Sequence, residues 1–159
     1  MSCSPEKRKL VEEIGLHFEK THQLAPLAAR IYAIMILSPK EGHTFDEIMS
    51  ITEASKSSVS TQLNLLLQLK KVEYFTKSGD RKRYFRGNKM YLKNTLESYL
   101  VNISEEIKIV EKITTFNASY NPEKYEKIGK VPMIFKEYLL RQEENLKSTI
   151  TKISEIQNK

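Results

Sequence analysis

The chain has 159 residues, 40% of them apolar and 29% charged, with a formal net charge of +6 at pH 7. That length suits one domain with a real core and leaves two cramped, and no apolar run approaches the roughly 18 residues needed to cross a bilayer, so no membrane partner is expected. The single cysteine, Cys3, excludes an intrachain disulfide and a multi-thiolate metal site within one chain. The opening MSCSPEKRKL lacks the apolar core and cleavage site of a secretory signal. A reducing, cytoplasmic setting is expected, with Cys3 in a frayed tail rather than in a redox-sensing pocket.

Residues 5–21 are predicted as a helix: Ser4 can cap it, Pro5 suits its first position, and Leu10, Val11, Ile14 and Phe18 recur at helical spacing. A second helix, from about Pro26 to Leu37, is apolar nearly all round apart from Arg30 and belongs at the centre of a core. After the turn SPKEGH, Thr44 and Glu47 have capping-box spacing and open a short helix carrying Phe45, Ile48, Met49 and Ile51. Only Thr52, Glu53 and Ala54 separate it from a helix that Ser55 can cap and that runs to about Lys70, a helix-turn-helix candidate. On a helical wheel Val59, Leu63, Leu66, Leu67 and the stem of Lys70 share one face. Lys56, Ser57, Ser60, Thr61, Asn64 and Gln68 share the other.

VEYFTKSG and RKRYFRGN follow as two extended runs split around Ser78, Gly79 and Asp80, a hairpin with a basic tip. Helix-turn-helix followed directly by such a hairpin is a winged-helix arrangement. From Lys89 the composition changes to long helices. Leu92, Leu96, Tyr99 or Leu100, Ile103, Ile107, Val110 and Ile113 step by threes and fours to TTFNASYNP, and from Val131 the pattern returns with Phe135, Leu139, Leu146, Ile150 and Ile153. A lone helix cannot bury such a stripe, so two subunits are expected to pack through these segments; an intrachain bundle is the other outlet. The expected fold is mainly α: a winged helix-turn-helix with a two-stranded wing and long terminal dimerisation helices. It forms a single domain over 1–159, with an N-terminal dimerisation helix over 1–24, the winged helix-turn-helix over 25–88 and a helical dimerisation region over 89–159.

The charge is concentrated. Between Ser55 and Lys93 ten bases stand against two acids, Glu73 and Asp80, a net of +8, so the rest of the chain is slightly acidic. A localised basic field concentrates polyanions, nucleic acid above all. It also explains why SKSSVSTQ opens a helix with small hydroxyls and no acid. A helix entering the DNA major groove needs short side chains for close approach, donors for phosphates and base edges, and no negative charge. Candidate DNA-contacting residues are therefore Lys56, Ser57, Ser58, Ser60, Thr61 and Asn64 on the helix, and Lys77, Arg81, Lys82 and Arg83 at the hairpin tip. Gln62 can also read adenine but points toward the flank of the polar face. Charge on an exposed hairpin also blocks strand pairing, which gives the tip bases, and Arg86 behind them, a second reading.

The run from FDEIMSITEASKSSVSTQLNLLLQLKKVEYF to GDRKRYFR resembles the MarR superfamily of bacterial transcription regulators, particularly its GbsR-type branch, and the likeness extends back through ARIYAIMILSP to cover about residues 25–88. It implies a homodimer that binds operator DNA through two winged helices. By that likeness Lys56, Ser57, Ser58, Ser60 and Thr61 meet the major groove and Arg81 the minor groove. The same branch is associated with choline-like effectors, which aromatic rings such as Tyr91, Tyr99, Tyr120, Tyr125 and Tyr138 could cage, although tyrosines at helical spacing commonly only pack. The identity of any small-molecule effector stays open.

An enzyme is not expected. His17, His22 and His43 are scattered, no acid-rich ligand spacing accompanies them, and there is no phosphate-cradling glycine loop or nucleophile elbow, so no cofactor and no metal are expected. The stronger rival is a winged helix used for protein contact, its basic face meeting an acidic partner. RNA is disfavoured because only Tyr84 and Phe85 interrupt the basic run and their alternation turns one of them to the core. The expectation is a dimeric, sequence-specific regulator on double-stranded DNA at a palindromic operator, a repressor rather than an activator because occluding a promoter needs no further contact surface.

Overall fold

A computed structural model describes residues 4–157, so Cys3 lies outside the described residues. The chain forms two compact units, Met1–Tyr91 and Leu92–Lys159.

In the first unit, α1 (Pro5–His22) is capped by Ser4, whose hydroxyl accepts from the Lys7 amide at 3.2 Å, with Pro5 at its first position. Next, α2 (Pro26–Ile36) is buried on nearly every side, as its apolar sequence requires, with Ala28, Ala29, Ile31 and Ala33 fully enclosed. Its one charged residue, Arg30, is satisfied by Glu12 and Glu19 on α1, and the absence of a side chain at Gly15 lets the guanidinium lie against that helix. The strand β1 (His43–Thr44) leads into α3 (Phe45–Thr52) through a complete capping box: the Glu47 amide donates to Thr44 Oγ1 at 3.2 Å and the Thr44 amide to Glu47 Oε2 at 2.9 Å. Glu53, left-handed at φ 52°, closes α3 and turns the chain into α4 (Lys56–Gln68).

The end of α4 differs from the sequence expectation. The helix stops at Gln68, and Lys70, expected to lay its stem on the core, is exposed and left-handed at φ 54°. Its amide donates to the Leu67 carbonyl and the Lys71 amide to the Leu66 carbonyl, each at 3.0 Å. This Schellman turn reverses the chain and sends Lys71 and Val72 inward. Then β2 (Val72–Thr76) and β3 (Arg83–Gly87) form the expected hairpin, pairing Val72 with Gly87 and Thr76 with Arg83. The short β1 adds to it, giving an antiparallel sheet of order β1-β3-β2. Two residues are too few for alternation to announce a strand.

In the second unit, α5 (Tyr91–Tyr120) continues past the unit boundary, followed by α6 (Pro122–Ile128) and α7 (Val131–Gln157). The Ser104 hydroxyl donates to Glu143 at 2.6 Å and Lys136 pairs with Glu111 at 2.7 Å, both linking α5 to α7. Of the two apolar stripes, Ile107 and Leu139 are buried, whereas Tyr99, Ile113 and Phe135 lie open to solvent.

Candidate nucleic-acid interface

The core side of α4 is fixed by Val59, Leu63 and Leu66, each at 2% exposure or less. That anchorage turns the opposite side outward: Lys56, Ser57, Ser58, Ser60, Thr61 and Asn64 are all exposed. The hydroxyls are not equivalent. Ser55 Oγ accepts from the Ser58 amide at 3.2 Å and lies 2.8 Å from Ser58 Oγ and 3.1 Å from Ser57 Oγ, so Ser57 and Ser58 share the cap. Thr61 donates to the Ser57 carbonyl at 2.9 Å. Thr61 therefore offers a partner lone pairs rather than its proton. Among the described residues Ser60 alone of these hydroxyls has no hydrogen-bond partner, and no acid occupies the first turn to oppose an anion.

The wing gets its shape from its sequence. Lys77 to Asp80 makes a tight turn in which the Asp80 amide donates to the Lys77 carbonyl at 3.1 Å, and Gly79 supplies the φ of 79° that a side chain would resist. Asp80 then locks the return: its carboxylate accepts from the Lys82 amide at 2.9 Å and from the Tyr84 hydroxyl at 2.7 Å. The Tyr84 bond, followed by the Lys82 amide, lowers the Asp80 pKa, and the same bond raises that of Tyr84.

Strand alternation sorts the wing residues. Phe85 faces the core, as alternation requires, and Arg83 on the same side lies 4.7 Å from the centre of the Tyr74 ring. On the other side Phe75 stacks on Tyr84 and Lys77 sits 4.5 Å over the Tyr84 ring. Lys82, Arg83 and Phe85 share a groove of about 330 Å³ with Ser60, Leu63, Asn64 and Leu67 of α4 and with Thr44, Phe45 and Asp46. The fold thus brings Ser60 and Asn64 together with Lys82 and Arg83. Lys77 is not brought into that groove, and Arg81 stands exposed in the tip outside the strand ladder.

Two bases counted in the +8 field are withdrawn from it. Arg86 pairs with Glu73, opposite it in the ladder, at 2.7 Å and with Glu41 at 3.3 Å. Lys71 is 5% exposed and points inward. The sequence held a signal for Arg86: counting outward from the Gly79–Asp80 pair sets position 73 opposite 86. Asp46, an acid in the groove, was not singled out from sequence, because helix-start acids ordinarily serve only the dipole. The three histidines do not converge: His17 and His22 lie near the end of α1, and His43 is buried in β1 with Nε2 2.7 Å from Ser38 Oγ. Of the five tyrosines weighed as a cage, Tyr120 stacks on Phe116 and Tyr138 on Phe135. Tyr91 lies by Tyr32 and the Lys71 ammonium.

No family model matches the chain. It is 30% identical over 86 residues to the HTH-type transcriptional regulator MmpR5 of Mycobacterium tuberculosis; the match covers 54% of this chain, which spans about half (52%) of that relative's length. Among solved structures, a crystal structure of a transcriptional regulator superposes with a TM-score of 0.54 at 21% identity, covering 96% of this chain and 95% of that one. A variant of S. aureus MepR superposes with a TM-score of 0.41 at 14% identity over 94% and 91% of the two chains. Among the described residues no helix is long and apolar enough to cross a membrane.

Proposed function

We propose that the chain, a winged helix-turn-helix of the MarR type, is a sequence-specific DNA-binding transcriptional regulator that works as a homodimer and represses by occupying a palindromic operator. The observation that carries the reading is the outward, hydroxyl-bearing face of α4, free of acids over Lys56–Asn64, sharing one groove with Lys82 and Arg83 of the wing. In this reading α4 enters the major groove, with Ser60 and Asn64 offered to base edges, Lys56, Ser57 and Ser58 to base edges or flanking phosphates, and Thr61, its proton held by the backbone, to donors on base edges. Arg81, Lys82 and Arg83 reach the backbone or the minor groove, and Lys77 contributes field rather than contact.

The large apolar residues left open on α5 and α7, among them Ile109, Ile113, Phe116, Ile134 and Phe135, support self-association through the second unit. Selection of bound duplexes from a random pool with the purified protein tests the whole reading. An enriched inverted repeat is expected. Retention of all sequences alike, or of none while an acidic protein is bound, would instead favour the winged helix as a protein-contact module.

A further inference from the structure

Lys71 is a buried ammonium that DNA recognition does not use. The Schellman turn after α4 delivers it inward, where its Nζ lies 3.0 Å from His22 Nδ1 at the end of α1 and hydrogen-bonds the hydroxyl of Tyr91, the first residue of α5. Its Nζ is 4.1 Å from the centre of the Tyr91 ring and 5.4 Å from that of Tyr32 on α2. Phe18 closes the cluster, 5.1 Å from Tyr32 and 5.2 Å from His22 between ring centres. Among the described residues no carboxylate comes within ion-pair distance of it. Burying a cation on rings and neutral acceptors alone is costly, and an apolar side chain of similar volume would serve stability as well or better. A buried ammonium with no carboxylate beside it, joining four elements at the root of the recognition helix and wing, points to a role in placing them.

We propose that Lys71 is a positioning residue for DNA binding: its ammonium ties the junction of α4 and β2 to the ends of α1 and α5, and neutral His22 is the partner whose protonation loosens the tie. This rests on the DNA-binding reading above. The Nζ must donate to an unprotonated Nδ1, which places the imidazole hydrogen on Nε2. His22 is exposed, and partial desolvation, then Lys71, then His17 push its pKa below the ordinary value, while burial, with Tyr91 beside it, pushes the Tyr32 phenol up to about 12. The titratable groups acting on His22 are thus His17 on its own helix and Lys71 from the α4–β2 junction, with the phenols of Tyr32 and Tyr91 gathered around Lys71. Because the tied state holds His22 with a depressed pKa, it binds fewer protons than the loosened state. The tie is therefore complete above the ordinary histidine range and is lost as pH falls through it.

The test compares wild type, Lys71→Met and His22→Gln for binding to a pool-selected duplex at about pH 7.5 and about pH 5.5, with a salt titration and ring NMR of His22. Lys71→Met should bind about tenfold more weakly with an undiminished salt slope, since no phosphate contact is lost, and with a melting temperature unchanged or raised. Wild type should weaken several-fold at the lower pH. His22→Gln, whose amide oxygen still accepts from Lys71 but cannot protonate, should not. NMR should show the Nε2–H tautomer and a pKa that rises toward the ordinary value in Lys71→Met. A salt slope reduced by about one in Lys71→Met would make Lys71 a phosphate contact and overturn the proposal. Should Lys71→Met unfold, equal pH dependence in His22→Gln and wild type, or an unshifted His22, overturns it alone. Wild type that retains no duplex at either pH overturns the DNA-binding reading itself.

Discussion

The two units of the chain bury their apolar residues to very different degrees. In the first, Ile31, Ile48, Val59, Leu63 and Leu66 are exposed by 2% or less, gathered from α2, α3 and α4 around one centre. In the second, Ile107 and Leu139 are the buried apolar residues among those described, while Ile109, Ile113, Phe116, Val131, Met133 and Ile134 are each at least half exposed. The first unit has a closed core of its own, with Leu10, Leu16, Ile36, Ile51 and Leu69 left open at its surface. The second has apolar surface still to bury, and that surface is what a dimer would cover.

Substitutions should separate the units in proportion to this difference. Leu66→Ala removes a fully enclosed side chain from the root of α4 and should cost about 2–5 kcal/mol in denaturant unfolding, the largest effect expected of any single change. A loss below about 1 kcal/mol would mean that the first core is looser than drawn. Ile113→Asp should leave folding nearly untouched yet weaken self-association at least about tenfold by sedimentation. An unchanged dimer would remove α5 from the interface. Thr44→Ala breaks the capping box that starts α3 and should cost about 1 kcal/mol. Smaller still, Lys82→Ala should lower affinity for all duplexes alike and flatten the salt slope by about one, whereas Ser60→Ala should change which sequence is preferred. Identical behaviour of the last two on random DNA would contradict the division between wing and helix.

Much of the first unit was legible because local and long-range signals agree. Ser4, Thr44 with Glu47, and Ser55 cap the helices their positions suggest, α2 is buried on nearly every side as its composition demands, and Gly79 turns the wing. The winged-helix arrangement expected from these elements is the one the chain adopts, and the relative that matches about half of the chain is a regulator of helix-turn-helix type. Less legible was the fate of individual charges. A charge count treats Lys71 and Arg86 as part of a solvent-facing field, but the left-handed residue Lys70 turns one inward and the strand register hands the other to Glu73. Lysine is a poor left-handed former, so nothing local announces that turn. Nor does spacing reveal that Thr61 has already spent its proton on the backbone.

Amide-resolved NMR of the full chain titrated with its selected duplex addresses the interface most directly. Shifts should concentrate at Lys56–Asn64 and Arg81–Arg83, with the outer face of α1 left unperturbed. Perturbation centred elsewhere, with the amides of α4 unmoved at saturation, would contradict DNA recognition by this helix and wing.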